Sequence, residues 1–535
     1  MSSIPQNQLQ NQLQALEQSN AAATLTDINR GIEKESLRIT PDGKLAQTSH
    51  PKSLGSTLTH GSITTDYSEA LMEFITPVST SVQGSIQTLE NIHSFVQQNL
   101  DEEMLWAASM PCIVAGDDSI PVANYGSSNV AQMKTVYRYG LGNRYGRLMQ
   151  AISGIHYNFS MPQAYWKHTW EQAGKPGTLT DHISESYLAL IRNFRRFSWL
   201  LIYLYGASPA VCASFLRGRD DHNLEPFDPE GKSLHLPYGT SLRMGGLGYN
   251  SDAQKDLNVC YNTLKNYVDT LTCAIKQPHP AYADIPYGQD GNYQQLNDSL
   301  LQIENEFYSP IRPKRVAASG EIPLGALTRA GIEYIEVRCI DVNPFTPVGF
   351  DAEQIRFLDT FLVYCLLEES PACDEAEQHR QAKNFAAVVN EGRKPGLLLD
   401  RGNTADEKIT LTGWANQLLE AMQPIAALFD KEHQTEAYSS ALEQQKNKVS
   451  DASLTPSARV LREMKEKELP FFRLAMHYSE QWAAHFQDRQ LSDEAKTKYT
   501  EEAERSLAAQ ESIEQADSIS FQDYLQNFYQ QYDDL

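Results

Sequence analysis

The sequence predicts an α+β fold in which an antiparallel sheet comes first and long helices follow. From about Gly31 to residue 350, short β-like runs alternate with helical segments. Beyond Asp351 the helical patterns lengthen and continue almost to the end of the chain. The 535 residues, 41% of them hydrophobic and 10% aromatic, can fill a large core of two to four domain-sized units.

The order of elements predicts three regions. Residues 1–28 are a polar, Gln-rich lead-in with a short helix, and the first strand signal covers 31–40. Helices are predicted over 82–100, 183–205, 252–275, 352–369, 374–391, 407–431, 433–449 and 456–467. The Glu- and Gln-rich stretch 492–516 is typical of a solvated helix face. We therefore expect a lead-in (1–28), a mixed core that carries the chemistry (29–350) and a mainly helical region packed on that core (351–535).

Composition and charge limit the partners and the location. The 68 acidic and 45 basic residues give a net charge of -23, which repels nucleic acid and anionic membranes. The seven cysteines are scattered without a short paired spacing, and the N-terminus lacks a secretory pattern. The apolar stretch 197–216 is as long as a bilayer span, but Gly206 and Pro209 interrupt it, so we predict a buried helix ending near Gly206. A cytoplasmic protein is expected.

Carboxylates occupy strand positions where apolar side chains would be expected. In the strand over 32–39, Glu33 and Glu35 share a face with Leu37 and Ile39, because side chains alternate between faces. In the strand over 71–75, Glu73 likewise points inward between apolar neighbours. A third strand, over 332–338, places Glu336 and Arg338 on the face of Ile332 and Tyr334. Three strands thus repeat the same anomaly.

Several buried carboxylates together need cations or hydrogen-bond partners, because an isolated one would take up a proton. Any one of these glutamates alone would more often cap an edge strand or form a structural ion pair. Together they predict a site for Mg²⁺, with Mn²⁺ as the alternative, since hard cations bind oxygen ligands and share them with phosphates. Asp66 could add a ligand, although a turn-forming role explains it equally well, and His156 alone is more often a core histidine.

Other nucleotide signatures are missing. The sequence contains no G-x-x-x-x-G-K-[ST] motif, and the glycines at 140, 142 and 146 have the wrong spacing for a dinucleotide fingerprint. No histidine and cysteine set has zinc spacing. If the acidic cluster takes part in nucleotide binding, the fold must therefore be one without a P-loop or a dinucleotide-binding fingerprint.

Several sequence blocks resemble the proteobacterial type of glutamate-cysteine ligase between about residues 28 and 398. They are Arg30-Gly-Ile-Glu-Lys-Glu-Ser-Leu-Arg38, Ile63-Thr-Thr-Asp-Tyr67, Glu73-Phe-Ile-Thr-Pro77, Ser153-Gly-Ile-His-Tyr-Asn-Phe159, Ile311-Arg-Pro-Lys-Arg315 and Gly331-Ile-Glu-Tyr-Ile-Glu-Val-Arg338. The resemblance implies a fold related to glutamine synthetase, whose antiparallel sheet curves into a funnel. It also implies that ATP drives the joining of L-glutamate and L-cysteine through a γ-glutamyl phosphate. That reaction is the first step of glutathione synthesis.

The resemblance also implies roles for individual residues. The metal ligands would be Glu33, Glu35, Asp66, Glu73, His156 and Glu336. Arg338 would face the transferring phosphoryl group, with Glu336 beside it as the second catalytic residue, and Arg138 would contact phosphate unless it forms a surface ion pair. Arg243 and Asn158 would hold the amino-acid substrate. The cysteine pocket would contain Tyr137, Tyr249 and Tyr308, with Leu141, Gln150 and Ile152 nearby.

Two other functions compete with this reading. A related ligase joining glutamate to a different amine would keep the acids and Arg338 but change the tyrosine pocket. A non-catalytic regulator that binds cations or nucleotides would keep the fold, yet every implied metal position here carries a competent ligand. The resemblance further suggests a monomer that glutathione inhibits.

Overall fold

The structure is a computed structural model. It describes residues 6–19, 21–111, 113–217, 222–248, 252–255, 257–288, 291–318, 320–402 and 407–535, with the backbone alone for 6–8. Among these residues, no helix combines the length and the apolar character needed to cross a membrane.

The described strands form one main sheet and two small ones. Their bounds are β1 Asn29–Ile39, β2 Ile63–Thr65, β3 Leu71–Ile75, β4 Met104–Leu105, β5 Gly154–Ser160, β6 Ala210–Cys212, β7 Glu225–Pro226, β8 Ser233–His235, β9 Ile311–Lys314, β10 Tyr334–Asp341, β11 Leu398–Asp400 and β12 Lys408–Thr410. Within the described residues the main sheet has seven strands in the order β2-β3-β1-β5-β10-β9, and β4 pairs with the end of β1. All its pairings are antiparallel.

The registers of β1 and β5 bring the predicted site residues together. Glu33 lies opposite His156, Glu35 lies opposite Glu73, and Glu336 lies opposite Asn158. Cross-strand partners of this kind have neighbouring side chains on one face of the sheet. The inward acids predicted from three separate stretches of sequence therefore belong to one surface.

A β-bulge interrupts the pairing of β10 with β5. Val337 lies opposite Tyr157 and Ile340 lies opposite Ile155, so two residues of β10 occupy the space of one residue of β5. Such a bulge shifts the alternation of side chains by one position. Accordingly Cys339 and Ile340, although adjacent, both belong to the apolar core behind the sheet.

The helices account for most of the remaining described chain. Their bounds are α1 Gln6–Gln18, α2 Ala22–Thr26, α3 Val82–Gln97, α4 Asn129–Tyr145, α5 Arg147–Gln150, α6 Gln163–Gln172, α7 Leu179–Phe197, α8 Trp199–Tyr205, α9 Leu264–Lys276, α10 Pro323–Ala330, α11 Ala352–Leu367, α12 Glu375–Glu391, α13 Leu411–His433, α14 Ala437–Ser450, α15 Pro456–Glu466, α16 Phe471–Asp488, α17 Asp493–Ala516 and α18 Phe521–Gln530. The predicted α+β class and the helical C-terminal third are confirmed.

Two predicted helix boundaries are wrong. The helix expected over 252–275 begins at Leu264, where the Thr263 side chain accepts a hydrogen bond from the Asn266 backbone N–H and so caps the first turn. The helix expected over 183–205 is divided into α7 and α8 around Ser198. Every residue of α8 is buried and the helix ends at Gly206, as predicted for a core helix.

The C-terminal helices cover the apolar back of the main sheet. The Arg30 guanidinium on β1 forms a buried ion pair with Asp359 on α11, with 2.7 Å between Nη2 and Oδ2. The Tyr157 hydroxyl on β5 donates to the same carboxylate at 2.6 Å. Because helices occupy this face, the opposite face is left for the acidic side chains.

The division into regions at residues 28 and 350 stays a prediction.

Candidate active site

Three of the predicted metal ligands form a compact group on the open face of the sheet. Glu33, Glu73 and His156 each offer a ligand atom, and these atoms all lie within 4.8 Å of one another. Nδ1 of His156 is 3.1 Å from Oε2 of Glu33, whose other oxygen accepts a 2.8 Å hydrogen bond from the Asn158 amide. The geometry thus offers two carboxylates and one imidazole to a cation.

Glu35 and Asp66 lie next to this group. Oε1 of Glu35 is 3.7 Å from Nε2 of His156, and its Oε2 accepts a hydrogen bond from the Gly154 backbone N–H at 2.5 Å. Asp66 follows β2, and its negative charge acts on both Glu35 and Glu73. The four acids and the imidazole on this side form what we call the acidic group: Glu33, Glu35, Asp66, Glu73 and His156.

Carboxylates of the acidic group repel one another. Burial, followed by the charges of Glu33 and Asp66, raises the pKa of Glu73 well above its usual value. Burial and then the charge of Asp66 raise the pKa of Glu35 to about 8. A divalent cation would remove this repulsion, so the arrangement fits the predicted metal site.

Glu336 lies in a different electrostatic setting. Nη1 of Arg338 donates to Oε2 of Glu336 at 2.9 Å, and Nζ of Lys314 is 3.4 Å from Oε1. Burial alone would raise the pKa of Glu336, but the charges of Lys314 and Arg338 outweigh burial and hold it well below the usual value. Glu336, Arg338 and Lys314 together are called the paired group below.

Sequence reasoning missed two cations of the site. Arg312 lies opposite Glu336 in the register of β9 and β10, and Lys314, two residues further along β9, lies opposite Tyr334. Burial, followed by the charge of Arg338, lowers the pKa of Arg312. The alternation of basic residues at positions 312 and 314 of a short strand was the signal that could have identified them.

Asp341 is a further buried acid, and it is not among the site residues predicted from the sequence. Its carboxylate is 1% exposed and accepts hydrogen bonds from the hydroxyls of Ser208 and Ser241, at 2.8 and 2.9 Å. It lies on the site face because the bulge reverses the alternation of β10. The consecutive apolar residues Cys339 and Ile340, which break a regular alternation, could have revealed that reversal.

Arg243, predicted to hold the amino-acid substrate, is fully buried beside β5 and β10. Its Nη2 donates to the backbone carbonyl of Arg338 at 2.8 Å, and its Nη1 is 3.9 Å from Asp341. A Cβ at Gly154 would lie 1.9 Å from Nη2 of Arg243, so glycine permits this close approach. Arg243 therefore lies near Arg338, whereas Asn158 contacts Glu33 in the acidic group.

The predicted cysteine pocket lies around α4 and the segment before β9. The Gln150 amide donates to the Tyr308 hydroxyl at 2.9 Å. Leu141 and Ile152 are buried in one apolar cluster, against which Tyr137 packs. Tyr249 lies outside the described residues.

Arg138 follows Tyr137 on α4. Its Nε donates to the Asp66 carbonyl, and its guanidinium carbon is 4.5 Å from the centre of the Tyr125 ring. These contacts place Arg138 beside the acidic group. The roles assigned to all these residues stay predictions.

Comparisons with known proteins identify the family of the chain. A family model described as glutamate-cysteine ligase matches residues 13–388. A glutamate-cysteine ligase of Alcanivorax borkumensis is 50% identical over 97% of this chain and 99% of the relative, and one from Saccharophagus degradans is 48% identical over 96% of each.

Solved structures extend the agreement to the fold. The crystal structure of the glutamate-cysteine ligase of Francisella tularensis in complex with AMP has a TM-score of 0.88 and 37% identity, covering 94% of this chain and 98% of that chain. A bifunctional glutathione synthetase from Pasteurella multocida shares the fold, with a TM-score of 0.71 at 23% identity over 90% of this chain and 55% of that chain. The sequence and its fold together show that this chain belongs to the glutamate-cysteine ligase family.

Proposed function

We propose that the protein uses ATP to join the γ-carboxylate of L-glutamate to the amine of L-cysteine, giving γ-glutamylcysteine, ADP and phosphate. The observation that carries this proposal is the acidic group, whose carboxylates repel one another, directly beside the cationic paired group. Such a surface suits a nucleoside triphosphate bound together with a cation. The names of the relatives and the AMP bound to the Francisella enzyme support the choice of substrates.

The cation in this proposal is Mg²⁺, with Mn²⁺ as the alternative. Glu33, Glu73 and His156 would hold it, with Glu35, Asp66 and Glu336 as the further ligands. The oxygen-rich donors and the raised pKa of Glu73 fit a hard divalent ion. When bound, the cation would neutralise negative charge on the phosphate oxygens.

The chemistry requires activation of a carboxylate, which is a poor electrophile. A γ-carboxylate oxygen of glutamate attacks the γ-phosphorus of ATP and ADP leaves. The cysteine amine then attacks the acyl carbon, phosphate leaves, and the nitrogen gives up a proton. Arg338 would hold the transferring phosphoryl group through two N–H donors, and Glu336, 2.9 Å away, would orient the guanidinium. Arg138 would contact a second phosphate.

The remaining predicted residues would bind the amino acids. Arg243 and Asn158 would hold glutamate on the two sides of the reacting centre, since they lie near Arg338 and Glu33 respectively. The cysteine pocket would consist of Tyr137, Leu141, Gln150, Ile152, Tyr249 and Tyr308. Aromatic hydroxyls and apolar walls suit a small thiol.

The proposal extends to the setting of the reaction. The catalytic unit would comprise residues 29–350, since all assigned site residues lie within it, and residues 351–535 would support it. The protein would act as a cytoplasmic monomer that glutathione inhibits. Light scattering would test the monomer, and added glutathione should lower the rate at subsaturating glutamate.

The decisive experiment measures ADP release with glutamate and Mg²⁺ while the amine acceptor is varied. Cysteine should support turnover, whereas ammonia and a polyamine should not raise the rate above that without acceptor. Turnover with ammonia or the polyamine but not with cysteine would favour the related amine ligase. ATP binding without ADP release under any condition would favour the non-catalytic regulator.

A further inference from the structure

The C-terminal arm, defined as residues 517–535, lies along the helix that carries Tyr137. The Asn129 side chain, at the start of α4, donates to the carbonyl of Ile519 at 3.0 Å. Further along, Leu525 of α18 is buried in one cluster with Met133 and Val136 of α4. The arm therefore contacts α4 over more than one turn, although it is distant from it in sequence.

A buried glutamine links the arm to Tyr137. Gln302 is fully buried, and its carbonyl accepts a 2.9 Å hydrogen bond from the Tyr529 hydroxyl. Its side-chain amide donates to the carbonyl of Tyr137 at 3.2 Å, while Oε1 accepts from the Leu296 backbone N–H at 2.9 Å. A Cβ at Gly140 would lie 2.0 Å from Oε1, so Gln302 is pressed directly against α4.

The same glutamine leads to Tyr308. Its backbone N–H donates to Oε2 of Glu306 at 2.6 Å. Oε1 of Glu306 accepts from the Tyr145 hydroxyl at 2.6 Å, and the Tyr145 ring is 5.8 Å from that of Tyr308. Tyr529 is thus hydrogen-bonded to Gln302, which contacts Tyr137 directly and Tyr308 through Glu306 and Tyr145.

The end of the arm is fixed independently. The Tyr532 hydroxyl donates to Glu304, and Nζ of Lys276 donates to the Tyr532 carbonyl at 2.8 Å. The Gln531 amide donates to the Gly320 carbonyl at 2.9 Å. Together with the contacts of Ile519 and Leu525, these contacts hold the arm on both sides of Tyr529, so loss of the Tyr529 hydroxyl should leave the arm in place.

We propose that Tyr529 and Gln302 are positioning residues that set the spacing between Tyr137 and Tyr308 and so determine the affinity for cysteine. The inference rests on the proposed function, in which these tyrosines bind the acceptor. A small acceptor makes few contacts, so a displacement of one wall by a fraction of an ångström removes much of its affinity. Apart from Arg138, which follows Tyr137 on α4, the residues proposed to bind ATP and the cation lie outside this hydrogen-bond chain.

The test compares Tyr529→Phe with Tyr524→Phe in the full-length protein. Tyr524 is a half-buried tyrosine of the same helix and packs in the same cluster, without a hydroxyl hydrogen bond within the described residues. Loss of the Tyr529 hydrogen bond should raise KM for cysteine about fivefold, with KM for ATP and kcat nearly unchanged. Tyr524→Phe should change none of these constants. Gln302→Met should raise KM for cysteine more than Tyr529→Phe does.

A double-mutant cycle separates this inference from the proposed function. If Tyr529 acts through Tyr137, the double variant Tyr529→Phe and Tyr137→Phe should raise KM for cysteine by less than the product of the single effects. An unchanged KM in Tyr529→Phe, or equal losses in Tyr529→Phe and Tyr524→Phe, would overturn the positioning role. If Tyr137→Phe itself leaves KM for cysteine unchanged, the proposed acceptor pocket is wrong, and positioning through it is overturned as well.

Discussion

Glu336 and Glu73 are both inward carboxylates of the same sheet, yet their environments differ. Lys314 and Arg338 lie within 3.4 Å and 2.9 Å of the two Glu336 oxygens, and the pKa of this glutamate is held well below its usual value. Glu73 faces mainly other acids, and its pKa is raised well above the usual value. One half of the site is therefore balanced by the protein's own cations, while the other half is the one proposed to bind a cation from solution.

The largest effect is expected when the paired group is changed without removing its charge. Arg338→Lys should lower kcat by roughly 10²- to 10³-fold, because lysine keeps the charge but not the two-donor contact with phosphate. Turnover is measured by ADP release, and thermal unfolding checks that the variant is folded. Arg329→Lys provides a matched control, since Arg329 pairs with Glu321 at the surface. A near-normal rate in Arg338→Lys would remove Arg338 from the mechanism.

Neutralising one acid in each half should change stability in opposite directions. Without divalent cations, Glu336→Gln should destabilise the protein by about 3 kcal/mol, because it removes a buried carboxylate that pairs with both Arg338 and Lys314. Glu73→Gln should stabilise it by about 1 kcal/mol, since it removes a repelled charge that water partly screens. Urea unfolding in the presence of EDTA measures both changes.

The same two variants also separate folding from cation binding. Glu73→Gln should weaken Mn²⁺ binding even though it stabilises the cation-free protein. Two changes of the same sign in the unfolding experiment would contradict the proposed difference between the halves. Glu321→Gln, at the surface, is the control and should leave both measurements unchanged.

A smaller effect is expected from pH. The pKa of Glu35 is about 8 in the folded, cation-free protein against an ordinary value of 4.5, so the folded state holds a proton that the unfolded state has lost. This contribution to stability is present below pH 4.5 and is lost as pH rises towards 8. Because a cation must displace that proton, Mn²⁺ affinity should rise by up to about tenfold per pH unit below pH 8.

Calorimetric Mn²⁺ titrations at several pH values in this range measure the effect. Glu35→Gln should flatten the pH dependence of Mn²⁺ affinity, and saturating Mg²⁺ should flatten that of wild-type stability. Equal Mn²⁺ affinities across the range in the wild-type protein would show that Glu35 does not carry the linked proton.

The strand signals in the sequence were sufficient to predict the inward acids. Alternation places Glu33 and Glu35 on one face whatever the rest of the fold does, and antiparallel pairing then brings Glu73 opposite Glu35. The fold class followed from the contrast between the short strands before residue 350 and the long helices after it. These properties depend on local pattern, which a single sequence records.

Contacts between distant segments could not be predicted in this way. Nothing in β9 by itself indicates that Lys314 meets Glu336, since that contact depends on the register between β9 and β10. The bond from Tyr529 to Gln302 joins residues 227 positions apart. The start of α9 was misplaced because the capping residue Thr263 was not recognised within a longer helical pattern.

The bulge in β10 has a mechanical consequence. Glu336 precedes the bulge and Arg338 lies within it. Beyond it the strand presents Asp341, which contacts Ser241 and Arg243. The groups proposed to bind phosphate and the groups proposed to bind the amino acid are therefore connected through one strand, on the two sides of its bulge. A tilt of β10 would therefore move the phosphate-binding residues and the amino-acid-binding residues together. The distance between ATP and glutamate would then depend on the spacing of residues along this one strand.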